Sequence, residues 1–182
     1  MHGKISNDLI TIRRYFLEDT DGLYEAVRES IKEVSVWLPW CHPEYSKQES
    51  IDWISMQMDA WDYGNEYSFF ILENSTEKLI GGVGINQLVK EHKMGNLGYW
   101  IRTGYTGKGI ATAATLLCAK FGFEELKLNR IEIIAATENF ASIKVAEKAG
   151  AKREAVLRNR LVVHDKIFDA ILFSLIPDDI LK

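Results

Sequence analysis

The stretch Tyr105–Leu126, YTGKGIATAATLLCAKFGFEEL, constrains the fold more than any other: two glycines flank a lysine and run straight into an apolar-rich helical pattern from about Lys108 to Glu125. A strand-like run, MGNLGYWI, precedes it, and a second, NRIEIIAAT, follows. Strand, glycine loop, helix and strand in that order predict an α/β architecture. The loop also has a chemical reading. A helix start leaves backbone N–H groups without intrahelical partners, and the helix dipole adds partial positive charge, so a glycine loop there favours an anion.

The rest of the chain supplies the sheet and its cover. LITIRRY alternates as a strand does, and DTDGLYEAVRESIKEV places Leu23, Ala26, Val27 and Ile31 on one helical face. SVWLPWCHPEYSKQES reads as a structured loop in which Ser46 or Ser50 caps the following helix, IDWISMQMDAWDYG, closed by Gly64. Trp53 and Trp61, on that helix, are expected to pack on the core or its edge. EYSFFILE, KLIGGVGINQLV and MGNLGYWI form an antiparallel meander with turns at Asn74–Lys78 and Lys90–Lys93. NFASIKVAEKAGA is a short helix closed by Gly150, and REAVLRNRLVV with KIFDAILFSLI makes a hairpin around His164 and Asp165. The expected architecture is a mixed, mostly antiparallel sheet flanked by helices. At 182 residues and 47% hydrophobic content, without repeat or linker, one domain is expected to span the chain.

Charge and composition remove several functions. A net charge of -4 with scattered basic residues argues against direct nucleic-acid binding. Two cysteines, Cys41 and Cys118, and four histidines, His2, His42, His92 and His164, show no ligand spacing, so no metal is expected and a reducing cytoplasm fits. The N-terminal segment lacks a signal peptide's apolar region and no run reaches the roughly 18 apolar residues of a membrane span, so the protein is expected to be soluble and unprocessed. Lys108 is followed by Gly109 rather than Ser or Thr, which removes the magnesium ligand of a Walker A loop. Gly104, Gly107 and Gly109 are spaced wrongly for a dinucleotide fingerprint.

The glycine loop, LNRIEIIAATEN after it and the Asn-x-x-Ser helix start at Asn139 together resemble the GNAT N-acetyltransferase superfamily, and within it the RimJ/RimL branch of ribosomal-protein N-terminal acetyltransferases. The similarity runs from ITIRRY through Trp37 to DAILFSL. It implies a GNAT-type domain whose splayed central strands, Asn96–Ile101 and Arg130–Thr137, hold acetyl-CoA as cosubstrate, without metal. The family's pyrophosphate signature falls on Thr106, Gly107, Lys108, Gly109, Ile110 and Ala111, with Thr106 departing from the usual Gln or Arg. A backbone N–H at Tyr99, Trp100 or Ile101 would polarise the thioester carbonyl.

The catalytic carry-over is uneven. Many members place a tyrosine seven residues after the Asn of the helix start, where this chain has Ala146. Ser142 matches the serine of the RimL-type branch and would approach the sulfur, while Asn139 holds the pantetheine amide; either residue could instead cap its helix. The RimL-type glutamate falls on Leu161, leaving Glu44, His42, Glu154, Asp169 or a water-mediated base to deprotonate the amine. Trp37 and Trp40 fall on the acceptor-side loop, where aromatic walls beside Glu44 suit a cationic amine or simply pack on the core. The reaction the resemblance implies moves the acetyl group to a primary amine by direct attack in a ternary complex, the acceptor being the N-terminal α-amine of a (ribosomal) protein. A polyamine or aminoglycoside acceptor, and a non-catalytic acyl-CoA-binding module, are the alternatives. Exposed sheet edges offer a route to a homodimer.

Overall fold

The computed structural model describes residues 3–181 and consists of eight strands and five α-helices in that range. His2, among the histidines considered above, lies outside the described residues. In chain order the elements are β1 (Lys4–Ser6), β2 (Ile10–Arg14), α1 (Thr20–Val34), α2 (Lys47–Asp62), β3 (Tyr67–Glu73), β4 (Leu79–Val89), β5 (Met94–Ile101), α3 (Ile110–Glu124), β6 (Arg130–Ala136), α4 (Phe140–Lys148), β7 (Lys152–Val163), β8 (Lys166–Leu175) and α5 (Pro177–Ile180). The strands form one sheet in the order β1-β2-β3-β4-β5-β6-β8-β7. Among the described residues every pairing is antiparallel except β5 with β6. Parallel neighbours need a long crossover, and α3 with the glycine loop supplies it.

Both faces of the sheet are covered. On β3, Phe69 and Ile71 enter the core that includes Ile85, Leu97, Cys118 and Phe121, whereas Phe70 enters a second core with Leu23, Val27, Tyr45 and Ile54. Successive side chains of a strand point to opposite faces, so the unbroken apolar run FFIL is the mark of a strand buried on both sides. The first core lies under α3 and the second under α1 and α2.

Local signals mostly act as expected. Ser46 caps α2: its hydroxyl accepts from the Glu49 N–H at 3.3 Å, and the Glu49 carboxylate accepts from the Ser46 N–H at 2.8 Å. Ser50 is buried and donates to the Tyr45 hydroxyl instead. Gly64 and Gly150 adopt φ of +67° and +81° just past their helices, and His164 and Asp165, at +48° and +60°, make the hairpin turn. The α3 helix starts two residues later than its pattern suggested, because Gly109 at φ +79° is the capping residue. The strand β1 carried no sequence signal, since three residues are too few to show a period.

Glu154 stitches three strands together. It accepts from the Arg130 guanidinium of β6 at 2.8 and 3.1 Å and from the Ser174 hydroxyl of β8 at 2.6 Å. These partners, Arg130 foremost, lower its pKa from the ordinary value near 4.5 to about 2. A lowered folded-state pKa contributes stability that is complete above pH 4.5 and is lost as pH falls toward 2. Glu154→Gln should therefore flatten the acid limb of the urea-midpoint against pH curve between those values; an unaltered acid limb would show that the pair contributes nothing.

Candidate active site

The parallel pair β5–β6 stays together for only three residues, Met94 with Arg130, Gly95 with Ile131 and Asn96 with Glu132. Beyond them β5 follows β4 as far as Ile101, and β6 follows β8 as far as Ala136. The two strands part, and their facing backbone groups from Leu97 and Ile133 onward have no strand partner on that side. Unpaired backbone donors and acceptors in a sheet interior require a ligand or water. An extended chain with amide groups, such as pantetheine, matches that need.

The glycine loop stands at the mouth of this gap. Gly107 and Gly109 have φ of +75° and +79°, conformations that L side chains rarely adopt, and a Cβ built on either meets no protein atom within 4 Å. Conformation, not crowding by the protein, demands glycine here. Gly109 offers no side-chain cap to α3, so the first-turn N–H groups of the helix remain for an anion. Lys108 holds its ammonium 4.9 Å from the centre of the Tyr105 ring, keeping a cation beside the loop. Thr106 donates both its hydroxyl, at 3.2 Å, and its backbone N–H, at 3.3 Å, to the Thr103 carbonyl, so its donors are spent within the turn.

Two candidate residues meet across the gap. The Tyr99 hydroxyl, from β5, lies 2.8 Å from Ser142 Oγ and donates to the Ser142 carbonyl at 3.2 Å, on α4. Burial pushes the Tyr99 phenol up to about 12, offset in part by the Ser142 hydrogen bond. Asn139 caps α4 by accepting from the Ser142 N–H at 3.1 Å, which uses Oδ1 and leaves its amide nitrogen for a ligand. Ala146 is fully buried in the core, a place for a small apolar side chain rather than a phenol in the gap.

On the opposite face of β5 lies a cleft of about 470 Å³. Its floor is glycine backbone: Gly82, Gly84 and Gly98, with Gly84 directly opposite Gly98 in register. A Cβ at Gly82 or Gly84 would come within 2.6–2.8 Å of Trp100 Nε1 or Ser68 Oγ, so these glycines keep the wall residues in place. The walls are aromatic. Trp40 stands edge-on to Trp100 at 5.7 Å and to Tyr45 at 6.4 Å, and Trp53 and Tyr15 join them. Glu49, Asp52, Trp53 and Met56 recur at helical spacing along one face of α2 and line the same cleft with His42. Glu49 accepts from His42 Nε2 at 2.8 Å and from Ser46, and these contacts, the Ser46 N–H first, lower its pKa.

Not every candidate gathers here. Trp37 packs edge-on to Phe168 at 5.5 Å, in a small cluster with Ala136, Val163 and Leu161 away from the cleft lining. Glu44 is 84% exposed and reaches only His42 Nδ1, at 3.6 Å. Glu154 is held by Arg130, and an Asp169 oxygen accepts from the Asn159 N–H in the hairpin. Trp53, expected to pack on the core or its edge, lines the cleft, whereas Trp61 is core, ringed by Tyr67, Phe69 and Phe121. The α2 carboxylates were missed, although the Ser-x-x-Glu capping spacing marked Glu49 and the i, i+3, i+4, i+7 stripe marked its face.

Residues 10–152 match the acetyltransferase (GNAT) domain family. The chain belongs to the GNAT acetyltransferases. Its relatives include the uncharacterised N-acetyltransferase p20 of Bacillus licheniformis, 29% identical with 92% of each chain covered. YdaF of Bacillus subtilis (strain 168), provisionally named a ribosomal N-acetyltransferase, is 30% identical over 93% of this chain and 92% of its own. A solved structure from Vibrio cholerae, described provisionally as a ribosomal-protein-serine acetyltransferase, superposes with a TM-score of 0.83 at 31% identity, covering 96% of this chain and 97% of the other. The GNAT fold with its splayed strands accounts for the divergence of β5 and β6, and membership of the GNAT acetyltransferases makes acetyl-CoA the cosubstrate. Among the described residues no cluster of metal-ligating side chains occurs and no helix is long and apolar enough to cross a membrane.

Proposed function

We propose that this GNAT enzyme acetylates the N-terminal α-amine of a protein by direct attack within a ternary complex, the whole chain acting as one catalytic domain. The observation that carries the reading is the double membership of Gly98, Tyr99 and Trp100. These residues border the gap between β5 and β6 and also line the aromatic cleft on the other face. A thioester threaded through the gap would present its carbonyl to an amine lying in the cleft.

In this reading Gly107, Lys108, Gly109, Ile110 and Ala111 take the pyrophosphate, with the Thr106 backbone beside them, and the free edges of β5 and β6 take pantetheine. A backbone N–H in the Tyr99–Ile101 segment supports the developing oxyanion. The amine nitrogen bonds to the acetyl carbon, the carbon–sulfur bond breaks, and the Tyr99–Ser142 pair supplies a hydrogen bond or proton to the departing thiolate. The amine proton leaves through the His42–Glu49 pair or Asp52, directly or by water. Trp40 and its aromatic neighbours with these carboxylates favour a cation and disfavour an anion. The named relatives from Bacillus subtilis and Vibrio cholerae support a ribosomal-protein acceptor.

The test is thiol release from acetyl-CoA with Ser- and Ala-initiated peptides, spermidine and an aminoglycoside as acceptors. Turnover restricted to the peptides is expected; turnover on the polyamine or aminoglycoside alone would replace the acceptor assignment. In the same assay Trp40→Ala should raise acceptor KM by about tenfold, the scale of a desolvated cation–ring contact, with acetyl-CoA KM unchanged. An acceptor KM equal to wild type would remove Trp40 from the acceptor wall.

A further inference from the structure

Arg102 directly follows β5 and has the largest side chain among those that are fully buried, 1% exposed. A guanidinium cannot be neutralised by burial, so it must be fully paired. Its two carboxylate partners come from one helix, α1. Nε donates to Glu29 at 2.6 Å, Nη2 to Glu25 at 2.7 Å and Nη1 to the Leu79 carbonyl at 3.2 Å, and Nη2 also makes an ion pair with the second Glu29 oxygen at 2.6 Å. Glu25 and Glu29 are more than half exposed, so the surface carboxylates of α1 form a lid over a buried cation.

The same helix holds the next residue twice. The Thr103 N–H donates to Ser30 Oγ at 3.1 Å, and the Thr103 hydroxyl donates to Glu33 at 2.9 Å. Ser30 is itself fixed by donating to the Ala26 carbonyl at 2.7 Å. Glu25, Glu29 and Glu33 are spaced i, i+4, i+8 and make one ladder along α1. The glycine loop hangs from the two residues so held: the Tyr105 N–H donates to the Arg102 carbonyl at 2.9 Å, and the Thr106 N–H and hydroxyl both use the Thr103 carbonyl. From Gly107 onward the exposed loop has no such ties until α3 begins.

We infer that Arg102 is a positioning residue: locked by the α1 carboxylate ladder, it sets the orientation of the Gly107–Gly109 loop and thereby the affinity for the diphosphate portion of the cosubstrate. This rests on the assignment of that loop to the pyrophosphate. Among the described residues no hydrogen bond or ion pair of the ladder reaches the cleft lining or the Tyr99–Ser142 pair, so its loss should fall on one part of one ligand.

The test compares two thioester ligands on the full chain: acetyl-CoA, by calorimetry, and S-acetylpantetheine, which lacks the diphosphate and nucleotide, by NMR titration. Arg102→Met keeps the length and apolar bulk of the side chain and should weaken acetyl-CoA by about tenfold, the scale of one lost charge-assisted hydrogen bond at the loop, while the S-acetylpantetheine Kd stays at its wild-type value. Equal weakening of both ligands would mean a general structural defect, and unchanged acetyl-CoA affinity would mean no role; either overturns the inference. Should Arg102→Met fail to fold, the pair Ser30→Ala and Glu33→Gln releases Thr103 alone and must show the same selective loss, or the inference falls. A wild-type chain that bound neither ligand would overturn the acetyl-CoA assignment itself, whereas wild-type binding with an indifferent variant overturns only the role of Arg102.

Discussion

Gly109→Trp should abolish coenzyme A binding in a protein that remains folded. Gly109 sits at φ +79°, and an L side chain there costs about 1–2 kcal/mol, a small part of the roughly 5–15 kcal/mol that holds a domain together. The protein itself offers no obstacle, since a Cβ at this position meets no heavy atom within 4 Å. The indole therefore projects into the space in front of the α3 N-terminus, where the pyrophosphate is assigned. Losing two backbone N–H bonds to a charged phosphate corresponds to at least about a hundredfold in Kd. Calorimetry with coenzyme A, paired with circular dichroism to check the fold, reads both halves of the prediction. Tight binding by the variant would falsify the placement of the pyrophosphate on this loop.

The same loop shows what the sequence could and could not reveal. Its glycines, the following helix and the flanking strands are local features, and the chain order of strand, loop, helix and strand was legible from periodicity and turn chemistry. The meander was legible for the same reason: EYSFFILE and KLIGGVGINQLV are short strand-like runs joined by a polar turn, and the structure adds that both faces are buried. What periodicity cannot express is where two neighbours separate. The parting of β5 and β6 after Asn96 has no local mark, because it arises from each strand following its other partner, β4 or β8. It was expected only through resemblance to the family.

Site residues divided along the same line. Asn139 and Ser142 carried a local motif that the sequence displays; Glu49, Asp52 and Trp53 form an ordinary amphipathic stripe, and a stripe does not disclose whether it meets a core or an empty cleft. Glu44 and Trp37 belong to the Trp-rich loop in sequence, but the loop turns at Pro39 and Pro43 and sends Trp40 and His42 to the cleft while Glu44 stays in solvent. Arg102 offered no sequence signal at all. Its partners lie 73 and 77 residues away, and only tertiary structure brings a buried cation under them.

Tyr99→Phe should lower kcat by about a hundredfold, the lower end of what a positioned acid contributes, with the affinity for acetyl-CoA unchanged. The ring packs against the main core, and phenylalanine preserves that packing while removing the oxygen that meets Ser142 at 2.8 Å. A thiolate leaving within the gap needs a donor, and the phenol is protonated at every physiological pH because burial raises its pKa to about 12. The sign of the shift has a kinetic consequence: a raised pKa keeps the hydroxyl intact well above pH 10, so Tyr99 contributes no alkaline limb to kcat in the ordinary assay range. Ser142→Ala should show a similar loss if the two hydroxyls act as one relay, and the double variant should then be no worse than the slower single one, since groups that act as a unit are not additive. Fully multiplicative losses would mean that each hydroxyl works alone, and an unimpaired Tyr99→Phe enzyme would return the whole duty to Ser142 or to water.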